Sequence, residues 1–224
     1  MTTGWRQNLG GAGAIVLALL LTLWVFFVNG GATFYFDTFD YVVRGHQLLS
    51  LLGLDLAPLH DISAIPSITL EEIVPDGEVE TVDGSRSMVF SLLAGIAFWL
   101  GAVDGLVGMN ALLAVGTIWL SCRLAMRGLA DAPRPSSITL VAVGLAALGS
   151  LPFYVAFLMP DILSPILLVM AALLSAFTSR MRVWELLVVT ALGSLAITVS
   201  MSHLATGLLL LPIVVLKAVA VPGP

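Results

Sequence analysis

Charged residues are scarce in this chain. Asp, Glu, Lys and Arg together make up 10% of its 224 residues, where a soluble globular protein carries roughly a quarter. That deficit excludes an ordinary soluble domain, whose surface needs many more solvating groups. Cysteine is nearly absent too. The single Cys122 has no partner for an internal disulfide, and its place inside an apolar run marks a packed thiol rather than a nucleophile. No glycine-rich loop of the Walker or dinucleotide type occurs, and no basic segment is interleaved with aromatics, so no nucleic-acid partner is expected. Heptads and internal repeats are also lacking. The bulk of the chain is apolar. With 59% hydrophobic residues and a mean hydropathy of +1.06, it reads as an all-α polytopic membrane protein, a single membrane domain over residues 1–224.

The apolar runs, and the basic residues between them, set a topology. Residues 11–28 form the first run, behind Arg6 and ahead of Asn29-Gly30-Gly31, a poor leader-cleavage site. It therefore reads as a retained span with a cytoplasmic amino terminus, in a cytoplasmic (inner) membrane. Residues 31–103 are then an outer loop. Ten of the fourteen acids fall between Asp37 and Asp83, so the formal charge of −5 describes that loop rather than the whole chain. Helical apolar spacing over residues 36–52 stops at Gly53. Pro58, Pro66, Pro75 and the Asp76-Gly77 and Asp83-Gly84 turns break up the middle of the loop. Glu71, Glu72, Glu78 and Glu80 there read as a solvated face.

The run Met88–Val103 decides the arrangement. At about sixteen residues it falls short of the ~20 that a span needs. Were it to cross, Arg123, Arg127 and Arg134 would lie outside, against the positive-inside rule. Laid along the outer surface as a second interfacial helix, it leaves later spans at 106–120, 138–158, 162–177, 186–201 and 204–215. Seven of the nine basic residues then fall inside. The expectation is about six transmembrane helices plus two interfacial helices in the first outer loop.

That topology brings Asp37, Asp40, Arg44, His46, Arg86, Asp161 and His203 to the outer boundary. Asp37, Asp40 and Arg44, spaced by three and then four residues, share one face of a helix. Phe34, Tyr35, Phe36, Phe39 and Tyr41 around them suit the headgroup layer. Burial beside those rings raises a carboxylate's pKa and suits it to general-base work, while the arginine lowers it. The alternative is a solvated first turn whose carboxylates favour the helix dipole. Asp161, in Leu-Met-Pro-Asp-Ile, is either a helix-capping acid or a member of the site. His203, in Met-Ser-His-Leu, is either an interfacial histidine or a ligand-facing one. Acids gathered at one surface are compatible with a divalent ion, but oxygen ligands are too common to assign one.

Phe36-Asp37-Thr38-Phe39-Asp40-Tyr41 stands just beyond a first span, and Asp83-Gly84-Ser85-Arg86-Ser87-Met88-Val89-Phe90 introduces a second surface helix. Together these resemble the amino-terminal module of the GT-C superfamily, polytopic glycosyltransferases that use polyprenyl-phosphate sugars. The likeness is to the protein mannosyltransferase and lipid A aminoarabinose transferase branch, though the proline usual in the second motif is absent. Trp99-Leu100-Gly101 and Cys122-Arg123-Leu124-Ala125-Met126-Arg127 resemble the end of that second surface helix and the inner end of the second span.

The resemblance implies sugar transfer from a polyprenyl-phosphate donor at the outer face of the cytoplasmic membrane. Asp37 or Asp40 would be the base toward the acceptor. Arg44, Arg86 or His203 would hold the donor phosphate, with Asp161 in support. The alternative is a non-catalytic subunit whose spans pack against other membrane subunits and whose acidic loop covers a partner. A transporter is disfavoured because no span carries charge at mid-depth.

Overall fold

The computed structural model describes residues 3–54, 87–127 and 135–220. Arg86, the proline-broken acidic loop and Arg134 lie outside the described residues. Among the described residues every regular element is helical. The helices are α1 (Thr3–Thr22), α2 (Trp24–Asn29), α3 (Phe36–Leu51), α4 (Met88–Arg127), α5 (Pro135–Leu148), α6 (Leu151–Ala156), α7 (Leu163–Phe177), α8 (Val183–Thr198) and α9 (Met201–Ala220). Short 3-10 turns at Pro160–Ile162 and Thr178–Arg180 bracket α7.

The long helix α4 is the axis. It packs against α1, α3, α5, α6 and α7, while α7, α8 and α9 pack on one another and α1 lies along α5. Leu106, Val107, Ala111, Ala114 and Leu124 recur on α4 at helical spacing and meet Ile166, Leu167, Met170 and Leu173 of α7 in the core. Residues Val189 and Ala196 extend that core into α8.

Helix α4 is broken two residues before Val103, the expected end of the second interfacial helix. Gly101 (φ −163°, ψ 29°) is followed by Ala102 (φ 53°, ψ −140°), which has a positive φ that side-chain-bearing residues rarely adopt. Such a conformation costs on the order of 1–3 kcal/mol and persists only where surrounding packing enforces it. The break lets residues 88–100 leave the direction of residues 103–127.

The first half of α4 is paired with α3. Thr38, Tyr41, Val42, Gly45 and Leu49 form the buried face of α3, and the Tyr41 ring meets Phe90 edge-on at 4.9 Å. The two backbones touch at Gly45 and Gly95. A Cβ added to Gly45 would stand 2.0 Å from the Ser91 carbonyl oxygen and 2.8 Å from Gly95 N, and one added to Gly95 would stand 2.7 Å from Gly45 C. Small residues at a helix crossing permit this approach.

By length and composition, two stretches are long and apolar enough to cross a membrane, Met88–Arg127 and Pro160–Arg180, and shorter apolar helical stretches run over Ala12–Thr22, Ser136–Leu148, Val183–Thr198 and Ser202–Leu216. Two of the expected single spans are interrupted. The first breaks between α1 and α2 at Leu23, and the third breaks at Gly149-Ser150, ahead of Pro152 at the start of α6. Each interruption removes helical hydrogen bonds and shortens the apolar rod.

Gly45→Ala should lower stability by about 2 kcal/mol or more, because the obstacle is backbone rather than a flexible side chain. Gly116→Ala, where an added Cβ meets nothing within 4 Å, should be neutral or stabilising. Thermal unfolding of the two detergent-solubilised variants checks the contrast.

Candidate functional site

The acid-bearing start of α3 is held against the segment that leads into Asp161. Helix α2 ends at Gly30, whose left-handed backbone (φ 69°) returns its N–H to the Phe26 and Phe27 carbonyls. The chain then runs extended. Thr33 N–H donates to Ala156 O (2.8 Å) and Leu158 N–H donates to Thr33 O (3.2 Å), forming an isolated parallel bridge between Thr33 and Phe157. The Thr38 hydroxyl accepts from Tyr35 N–H (3.0 Å) and donates to Leu158 O (3.1 Å). It thus caps α3 and bonds it to the far segment at once. Tyr35 lies edge-on to Phe157 at 5.8 Å. From α4, buried Asn110 donates to Val155 O and Phe157 O, each at 3.3 Å.

Asp37 stands in the first turn of α3, partly buried, with Asp40 exposed and Arg44 partly buried further along the helix. None of the three is without an interaction partner. Asp161 sits in the 3-10 turn Pro160–Ile162, only a few residues beyond Leu158. It is exposed, and no side-chain bond caps α7. Ser87 accepts from Phe90 N–H (3.2 Å), capping α4, and donates to Thr198 O (3.3 Å). The chain next to Arg86 is thereby tied to the end of α8.

Beside this end lies an apolar cavity of about 650 Å³ between α4, α5, α6 and α7. Asp161, Ser164, Ser150 and Tyr154 contribute polar groups to its wall, while Ile118, Val141, Leu145, Leu168 and Val169 make it greasy. Asp37, Asp40 and Arg44 are not in its described lining. His203 falls in the first turn of α9 and is buried. Both ring nitrogens are engaged within the protein, Nδ1 with Ala196 O at 2.9 Å and Nε2 with the Ser164 hydroxyl. Among the described residues no group of three His, Cys, Asp or Glu side chains is arranged to hold a metal. Comparisons with protein-family models, with characterised proteins and with solved structures return no match.

The opposite ends of α4 and α7 carry a cluster that topology reasoning overlooks. Glu185, with its side chain fully buried, takes Arg123 Nε on Oε1 (2.8 Å) and Arg127 Nη1 on Oε2 (2.5 Å). It also accepts from Arg182 N–H at 2.8 Å. Arg127 reaches Arg180 O at 3.3 Å, and the Arg123 guanidinium lies 5.3 Å from the ring centres of both Trp119 and Trp184. Counting only basic residues hides Glu185. The signal that could have found it is the i, i+4 pair Arg123/Arg127 on an otherwise apolar helix, which calls for an anion on a neighbour.

The Glu185 carboxyl, just ahead of the apolar run at 186–201, is held down from 4.5 to about 2, chiefly by Arg127 and further by Arg123 and the Arg182 N–H, with burial opposing. A depressed folded-state value stabilises the fold where the unfolded carboxyl is ionised, above about 4.5, and is lost as pH falls toward about 2. The thermal midpoint in detergent should therefore drop between about pH 5 and pH 2.5 by more in the native chain than in Glu185→Gln. Equal drops would show that the cluster does not carry this pH dependence.

Proposed function

We propose that this protein is a multi-pass membrane protein of the GT-C kind that transfers a sugar from a polyprenyl-phosphate donor at the outer face of the cytoplasmic membrane. Large apolar side chains stand exposed along the helices, among them Leu148 at 92% and Leu209 at 77%, as lipid-facing residues do. The shorter helices complete about six crossings when α1 with α2 and α5 with α6 are counted as interrupted spans. Arginines 123, 127, 180 and 182 gather at the end marked by Glu185, which the positive-inside rule assigns to the cytoplasm along with the amino terminus. The acids Asp37 and Asp161 then face outward. Helix α3 and the first half of α4 serve as the two interfacial helices of the outer loop, the break at Gly101-Ala102 turning the chain from the surface into the bilayer.

The observation that carries the reading is the seating of α3 on residues 155–158. It joins the Asp37 turn to the Asp161 turn, although more than a hundred residues separate them, beside an apolar cavity suited to a lipid. In this role Asp37 or Asp40 takes the proton of the acceptor. Arg44 and Arg86 hold the departing phosphate, where charge accumulates in the transition state and a guanidinium can pair with two oxygens. Asp161 orients the acceptor. His203, closed off by Ala196 and Ser164, contributes through α7 rather than by touching phosphate.

Asp37→Asn and Asp40→Asn should between them reduce lipid-linked sugar transfer by roughly hundredfold or more, the usual worth of a general base, while membrane protein level stays unchanged. Glycan profiling of cells carrying each variant is the measurement. Unchanged glycans together with loss of a co-purifying assembly would replace this reading with that of a non-catalytic subunit.

A further inference from the structure

We propose that Ser164 and His203 form a nucleophile–base dyad acting on a long-chain carboxylic ester held in the apolar cavity. This is a separate activity that does not rest on the glycosyl-transfer reading. Proton placement on the imidazole decides the roles. His203 Nδ1 faces the Ala196 carbonyl oxygen at 2.9 Å, and a carbonyl can only accept, so in the neutral ring Nδ1 carries the hydrogen. The lone pair is then on Nε2, which faces the Ser164 hydroxyl. The hydroxyl donates to it. This is the relation of an activated serine to its base, with a backbone carbonyl in the orienting place that a carboxylate often fills.

The two residues are also placed on different sides of a wall. Ser164, partly exposed, lines the cavity of about 650 Å³, whereas His203 is 4% exposed and is not in the cavity's described lining. Only the nucleophile meets a bound molecule, and the base stands behind it. Val141, Leu145 and Leu168 line the cavity and are themselves exposed, which opens it sideways between α5 and α7. A hydrocarbon chain fits that description, and a free polar substrate does not. Thr117, Ser121, Ser150 and Tyr154 add hydroxyls to the same lining.

In the step itself, Ser164 Oγ attacks the ester carbonyl carbon and its proton passes to His203 Nε2. The carbon–oxygen bond to the alcohol breaks, and the departing oxygen takes that proton, leaving an acyl ester on Ser164. Water then attacks this ester with His203 again accepting the proton, releasing the carboxylic acid and restoring the serine.

The test treats the full-length protein, purified in detergent and shown to be monodisperse, with a long-chain alkyl fluorophosphonate. Intact mass and peptide mapping locate the adduct. The expected result is one adduct on Ser164, none in Ser164→Ala, and labelling slowed roughly hundredfold or more in His203→Gln. Glutamine can keep hydrogen bonds in that place but cannot act as the base, so a merely structural pair would leave the labelling rate unmoved. No adduct on the monodisperse native protein, an adduct on another residue, or equal labelling rates in the native chain and His203→Gln would each overturn the proposal.

Discussion

Three residues that donate to four consecutive carbonyls organise one end of this molecule. Residues 155–158 are the last residues of α6 and the first of the link toward α7, so their carbonyls lack the helical donors four residues on; Phe157 O takes a local bond from Met159 N–H (2.9 Å), and inside an apolar protein the set draws on donors from distant parts of the chain. The Thr33 backbone and the Thr38 and Asn110 side chains supply them. Each such bond contributes only about 1 kcal/mol net, but leaving a buried carbonyl without a donor costs more than that, so the arrangement is enforced by what its absence would cost. Because the donors come from α3, α4 and the strand-like residue between α2 and α3, the bonds also decide which parts of the chain meet.

The other end is organised by charge rather than by backbone. A fully buried carboxylate at the head of α8 is tolerable only with ionic partners, and Arg123 and Arg127, one helical turn apart on α4, provide them. The two ends thus differ in kind. One is a set of backbone bonds around acids, a serine and a histidine; the other is an ion-paired seam flanked by tryptophans. This division gives the bundle a direction.

Much of the helical plan is legible in the residues. The start and stop of α3 follow from its apolar spacing and from Gly53, and the separation of residues 88–100 from 103–127 follows from a run too short to span. The breaks at Leu23 and at Gly149-Ser150 are harder to read, since both fall inside stretches whose hydropathy stays high. Asp161 is legible as a turn residue beside Pro160, though it caps nothing. His203 illustrates the limit most plainly: its sequence setting suggests an exposed boundary, yet packing of α7, α8 and α9 closes it away. Threonine and asparagine contacts to distant carbonyls leave no local pattern, because their partners are main-chain atoms set by tertiary packing. The Gly45–Gly95 contact is equally silent, as neither glycine is distinguished from the other nineteen by its neighbours.

The pairing of Thr33 with Phe157 holds the Asp37 and Asp161 turns together, and a disulfide across it is the most direct measurement of that contact. Bridged backbones lie about 4.8 Å apart, within the roughly 4.4–6.8 Å that a disulfide spans between Cα atoms. Thr33→Cys with Phe157→Cys, in a Cys122→Ser background, should cross-link almost completely under mild oxidation in native membranes. If both thiols stay open to alkylation in the folded protein, the Asp37 and Asp161 turns are not joined in this way and the proposed outer site is wrong.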